Sequence, residues 1–377
     1  MITRGDIDEL LRRRAAPESP VLSVYLDIDQ GKARNLKRGF EAALHAMLRS
    51  IEARLENGAR PTFLADAERV RRFVSGLEPR GKAWIAFADD SENFFWERSI
   101  HAPIEERAWW SDEPFLRPLL ETLDEYERYG VVVVDKSRAR FCTVFMGEIE
   151  EHGEALAEPE TRRVRTTGTD HLLSESRFQH HADAHVHGHL LRVAAILEEI
   201  VARYDLDRLV LAGPVEATGR LQSLLSKRLR ARVAGRIALP VDAGTSELLE
   251  ETLAIERQAE RQEESRLVEE LIAGDGSYPV AVGLDPTVRA VGERRVWRLI
   301  YAAGLRVAGG RCARCGMLLA RSEGLCDYCG GAVQPLEDLL DPMAKAVLEQ
   351  GGKVETVAGE AAARLGQAGG VGAILRF

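Results

Sequence analysis

The chain has 377 residues, beyond the roughly 250–300 over which a single hydrophobic core stops growing, so two or three domains are expected. Its 45% apolar and 29% charged residues are those of an ordinary soluble protein, and no run approaches the ~18 uninterrupted apolar residues of a membrane span. A net charge of −9 argues against a protein that coats nucleic acid through bulk electrostatics.

The opening residues, MITRGDIDELLRRRAAPESP, form a charged helical pattern without an apolar secretory core, which predicts a cytoplasmic protein with no membrane partner. PVLSVYLDID (Pro20 to Asp29) reads as a buried strand. Asn35 to about Glu56 follows as an amphipathic helix with Phe40, Leu44, Met47, Leu48 and Ile51 on its apolar face. Strands AWIAFAD and NFFWERSI complete an α/β domain, and WWSDEPFLRP reads as an irregular link. YGVVVVDKSRARFCTVFMGEIEEHGEAL predicts two or three antiparallel strands with a turn at Asp135 to Arg138. A helix from Arg177, strand RLVLAGP, helix Ala217 to Leu229 and strand RIALPVD make a second α/β domain. Ser246 to Ala273 reads as a long helix between domains, and the remainder alternates helix and strand. The expected domains are 1–124, 125–245 and 246–377.

Charge is spread unevenly. Ala217 to Arg236 holds six basic residues and no acidic one, so Arg228, Arg230 and Arg232 are candidate phosphate contacts. Five of the nine histidines fall between His180 and His189. On a helix, Val186, Leu190, Val193, Leu197 and Ile200 form one apolar stripe, with His181, His185 and His189 on one flank and His180 and His187 on the other. That division favours a solvated or interdomain face over a metal site, for which only i, i+4 pairs such as His181 and His185 are available.

The most specific motif is CARCGMLLARSEGLCDYCGG. Two Cys-x-x-Cys-Gly turns can aim Cys312, Cys315, Cys326 and Cys329 at one point, giving an S4 set for one structural zinc ion in an insert at about 309–333. Two redox dithiols are the alternative, although such pairs normally come singly at the start of a helix. The fifth cysteine, Cys142, lies alone in an apolar strand and reads as an inert buried thiol.

The strands YGVVVVDKSRARFCTVFMGEI and RLVLAGP, the zinc module and the closing GGVGAILRF resemble, in that order, the archaeo-eukaryotic class-1 peptide-chain release factors and Pelota. The bacterial-type branch, which includes ribosome-hibernation factors of the Balon type, is the nearest description. The resemblance implies three α/β domains in an extended tRNA-like arrangement, with the zinc ribbon inserted in the third. It also implies binding in the ribosomal A site, near the decoding and peptidyl-transferase rRNA, and delivery by a translational GTPase such as elongation factor Tu.

The family's hydrolytic Gly-Gly-Gln loop stands just before the long middle-domain helix and an Arg-Phe pair. Arg177-Phe178 matches the pair, which puts His171-Leu172-Leu173 where Gly-Gly-Gln should be. Asn35-Leu36-Lys37-Arg38 stands where the codon-reading Asn-Ile-Lys-Ser is found, and the second codon-reading pattern has no counterpart. The resemblance therefore implies a non-hydrolytic factor of ribosome hibernation or rescue, with no catalytic residue. Its RNA contacts would come from Lys37, Arg38, Arg162, Arg163, Arg165, His171, Arg177, Arg228, Arg230 and Arg232. Two rivals stay open: a peptidyl-tRNA hydrolase with a new tip around Asp170, His171 or Gln179, and an RNA-binding or scaffold protein off the ribosome.

Overall fold

The computed structural model describes the chain apart from residues 1, 3, 14–19, 57, 153–173, 275 and 277; at 4 and 174–182 it describes the backbone. The described residues form two compact units, one joining residues 1–126 with 261–377 and the other comprising 127–260.

The first unit begins with α1 (Arg4–Arg12) and β1 (Val21–Asp27), a 3-10 turn (Asn35–Lys37), α2 (Gly39–Glu52) and α3 (Arg60–Ser75). It continues through β2 (Ala83–Asp89), β3 (Phe94–Ile100), β4 (Arg107–Ser111) and α4 (Arg117–Glu125). The strands pair antiparallel in the order β3-β2-β1-β4. The central pair is buried along its whole length, since α2 and α3 cover one face. The helix expected from Asn35 starts at Gly39 instead. The carboxamide of Asn35 donates to the Asp27 carbonyl (3.0 Å), Asp27 Oδ1 (3.2 Å) and the Asp29 carbonyl (3.1 Å), and Arg38 adopts φ 56°. The link expected at WWSDEPFLRP is also ordered: Trp109 and Trp110 lie in β4, and α4 follows with Pro118 in its first turn, where a missing N–H costs nothing.

The second unit has β5 (Tyr129–Val134), β6 (Ala139–Phe145), β7 (Glu148–Glu151), α5 (Ser174–Tyr204), β8 (Arg208–Ala212), α6 (Val215–Leu224), α7 (Lys227–Ala231) and β9 (Val233–Ile237), and it takes in the first half of α8 (Thr245–Ala273). Its sheet order is β7-β6-β5-β8-β9, with β8 parallel to both β5 and β9. Successive strand residues face opposite sides. Val132, Val134 and Phe141 therefore pack with α5 to α7, whereas Val131, Val133 and Cys142 pack with the side of α8 that carries Leu248. The predicted α5 stripe holds, with Leu190, Val193, Leu197 and Ile200 buried and Val186 packed against them. The single helix expected at Ala217 to Leu229 is two helices, because Ser226 accepts from Leu229 N (3.2 Å) and caps a new start. The strand expected at RIALPVD ends at Ile237, ahead of Pro240, which has no N–H for a ladder.

The rest of the first unit contains β10 (Val280–Val282), α9 (Leu284–Gly292), β11 (Val296–Ala302), a ribbon of β12 (Gly309–Cys312), β13 (Leu318–Leu319) and β14 (Val333–Leu336), then α10 (Leu340–Glu349), β15 (Lys353–Val357), α11 (Gly359–Gln367) and β16 (Val371–Leu375). The main sheet runs β10-β16-β11-β15. Gly369 (φ 102°) and Gly370 (φ 76°) make the reversal from α11 into β16, a pair of left-handed residues that explains why the closing motif begins Gly-Gly.

The two sequence segments of this unit meet at α4. Leu116 N (2.8 Å) and Arg117 N (2.9 Å) both donate to Asp341 Oδ1, so an aspartate from α10 caps a helix more than 200 residues away in sequence. The buried Arg117 guanidinium donates to Asp338 Oδ2 (2.7 Å), Glu121 Oε1 (2.7 Å) and the Leu305 carbonyl. Arg117→Ala should cost about 3–5 kcal/mol in urea unfolding, because it leaves Asp338 buried and unpaired. Arg34→Ala, which removes a partly exposed contact to Glu106, should cost about 1 kcal/mol or less.

Asp66, wholly buried on α3, accepts from Asp90 N (2.7 Å) and Trp110 Nε1 (2.9 Å). Burial, and secondarily Asp89 and Asp90 nearby, push its carboxyl from 3.8 up to about 6. The folded state therefore binds the extra proton, and this group's contribution to stability falls as pH rises from about 4 to 6. Asp66→Asn should flatten the pH profile across that window, while lowering the thermal midpoint, since a carboxamide offers one acceptor oxygen to the two donors.

Candidate metal centre and basic surfaces

The four cysteine sulfurs of the ribbon all lie within 4.8 Å of one another, a set that could hold one metal ion. Backbone geometry produces the cluster. Gly316 N donates to the Cys312 carbonyl (2.9 Å) and Gly330 N to the Cys326 carbonyl (2.9 Å), closing two equivalent knuckles at glycines of φ 72° and 70°. Cys312 N donates to the Met317 carbonyl (2.9 Å), and Cys326 N to the Gly331 carbonyl (2.8 Å). Sulfur pairs close at 3.4 Å for Cys312 and Cys329 and at 3.7 Å for Cys315 and Cys326. Backbone N–H groups of Cys315 and Arg314, aided by the neighbouring thiols, push Cys312 down to about 6, whereas at Cys315 the Met317 N–H is outweighed by the Cys329, Cys312 and Cys326 thiols, which push it up, so the proton stays within the cluster until a metal displaces it. Gly331 was missed in the sequence: a Cβ there would lie 3.0 Å from Cys312 Sγ and 3.4 Å from Cys329 Sγ. The doubled glycine of CGG was its only signal. Cys142 is fully buried, and burial pushes its thiol up to about 11, which makes it unreactive.

The candidate RNA contacts fare unevenly. Lys37 is exposed. Arg38 instead donates to the carbonyls of Val74 (2.7 Å), Ser75 (3.1 Å) and Leu77 (3.0 Å), capping the end of α3. In the other unit Arg228 is exposed, while Arg230 donates to the carbonyls of Gln222 (3.2 Å), Ser223 (2.8 Å) and Leu225 (3.0 Å). Arg232 donates to the Leu206 carbonyl. Arg230 thus holds the α6–α7 break together and Arg232 ties the end of α7 to the turn between α5 and β8, uses that charge counting could not reveal. Arg162, Arg163, Arg165 and His171, and the side chain of Arg177, lie outside the described residues, as do Asp170 and the side chains of Gln179, His180 and His181. His185 and His187 are exposed on α5, and His189 is buried. Among the described residues, the cysteine set alone groups three or more candidate metal ligands. No described helix is long and apolar enough to cross a membrane.

Residues 114–257 match the model of bacterial archaeo-eukaryotic release factor family 10, which supports the release-factor resemblance over that segment. No curated protein matches the chain. Among solved structures, an archaeal translation termination factor, aRF1, shares 16% identity at a TM-score of 0.25, with 98% of this chain and 96% of that one covered. Pelota of Archaeoglobus fulgidus shares 17% at 0.33, covering 78% of this chain and 79% of its own. An archaeal Pelota described as ribosome-bound with ABCE1 shares 18% at 0.40, covering 78% and 77%.

Protein purified under reducing conditions should carry one metal ion per chain by elemental analysis. Cys326→Ser should lose the ion and expose the ribbon to protease, while the second unit keeps its unfolding midpoint.

Proposed function

We propose that this chain is a ribosome-binding translation factor of the release-factor type, which occupies the A site without hydrolysing peptidyl-tRNA and serves hibernation or rescue. The observation that carries this reading is the family match over residues 114–257, which spans β5 to β9 and α5. The sequence just before α5 supports the non-hydrolytic part. Release needs an extended tip that orients water and stabilises the developing oxyanion. His171-Leu172-Leu173 stands in that place, and Gly-Gly-Gln occurs nowhere in the sequence.

The ion of the ribbon is taken to be zinc, because four thiolates with every coordination position filled by protein suit a structural tetrahedral site. Contacts to rRNA are assigned first to the exposed Lys37 and Arg228 and to Arg162, Arg163, Arg165 and Arg177. A translational GTPase such as elongation factor Tu is the proposed delivery partner.

Two assays test this reading. The chain should co-sediment with 70S ribosomes and lose affinity with salt; Arg228→Glu should weaken binding and flatten the log–log salt slope by about 0.7–0.9 for the phosphate contact removed. Arg230→Glu should mainly lower stability, since its guanidinium holds the end of α6. On ribosomes charged with peptidyl-tRNA, peptide release should stay at background with any stop codon in the A site. Release abolished by His171→Ala would establish the hydrolase reading instead, and failure to sediment would place the protein off the ribosome.

A further inference from the structure

The first unit contains a cavity of about 370 Å³ that neither the metal centre nor the ribosome reading uses, bounded by α2, β4, β14 and α10. Its size falls in the range of sites that hold a small ligand or one large side chain. One wall is the indole of Trp109, held by a stack on Phe115 with ring centres 4.7 Å apart and planes at 15°. Leu55, Pro335 and Leu336 add apolar surface beside it.

Charge decides what such a site would admit. Five acidic side chains line the cavity against three basic ones. The two inner cations are already engaged: Arg311 meets Glu113 at 3.2 Å, and Lys345 meets Asp341 at 2.6 Å and Glu113 at 3.5 Å. Asp338 is held by Arg117. What remains among the lining residues are two exposed carboxylates, Asp112 and Glu337, against one exposed cation, Arg54. An anion would meet this surplus of carboxylate and find both inner cations taken.

From this arrangement we propose that the cavity is a docking site for an arginine side chain of a polypeptide partner. The planar guanidinium would lie against the fixed indole and pair with the exposed carboxylates, while its methylene stem covers Leu55 and Leu336. A flexible ammonium has the charge but not the flat face, so arginine is favoured over lysine and over a free polyamine.

Calorimetry on the full chain with N-acetyl-arginine amide tests this, with the neutral isostere N-acetyl-citrulline amide, N-acetyl-lysine amide, spermidine and a nucleoside monophosphate as comparison probes. Arginine amide should bind at least about tenfold more tightly than citrulline amide, a difference of about 1.4 kcal/mol. Asp112→Asn with Glu337→Gln should weaken arginine binding by a similar factor and leave the melting temperature unchanged, both positions being exposed. Trp109→Phe, which keeps an aromatic wall, should weaken it less than Trp109→Ala. No detectable arginine binding, equal binding of citrulline, or tighter binding of lysine, spermidine or the nucleotide would each overturn the proposal. These readouts use purified protein, so their outcome is independent of ribosome binding.

Discussion

The first unit depends on a buried guanidinium. Arg117 gathers Asp338, Glu121 and the Leu305 carbonyl around one planar group, and Asp341 beside it caps the helix on which Arg117 sits. Burying that charge costs several kcal/mol, and the return comes only when every partner is in place. The arrangement is therefore selective more than it is strong. A chain that brings α4 and α10 together in any other register leaves at least one carboxylate or one N–H without a partner. Asp124 extends the same seam by accepting from Thr356 N (2.5 Å), joining α4 to the edge strand β15. One wall of the cavity follows from this seam, since Asp338 and Asp341, which it fixes, both line it.

The ribbon solves a different problem. Its cluster of buried apolar side chains consists of Leu319 with Cys312 and Cys326, too little to hold a module of this length by the hydrophobic effect alone. Its sulfurs converge because two glycine knuckles turn the backbone N–H groups towards them. The module is thereby shaped for an ion by main-chain geometry, and the side chains between the cysteines are left free to vary.

Much of this architecture was legible in the sequence, and the failures share a cause. Continuous apolar runs such as YGVVVV and the 3.6-period stripe on α5 located strands and helix because each is a local pattern carried by several residues. The cysteine set was legible because its spacing implies convergence. What could not be read were contacts made by one polar group over a long separation. Asn35 shortens α2 by tying itself to Asp27 and Asp29; Asp341 permits α4 at a place where the local sequence suggests a loop. Arg38, Arg230 and Arg232 carry the same charge as residues that face solvent, yet they spend it on backbone carbonyls. Composition counts charges and is silent about where they point.

The position of β16 has a consequence for how the polypeptide is made. This strand lies between β10 and β11 and is antiparallel to both, although it follows β11 by about 70 residues and β10 by about 90. A ribosome delivering the chain in order must release β10 and β11 before the strand that bridges them exists, so both present unpaired edges to the cell in the interval. Residues 1–126 wait too, because the aspartates that receive Arg117 emerge late. Early stops in translation would yield edge-exposed fragments instead of shorter working proteins. The glycine pair ahead of β16 thus makes the turn on which completion of the sheet, and with it the first unit, depends.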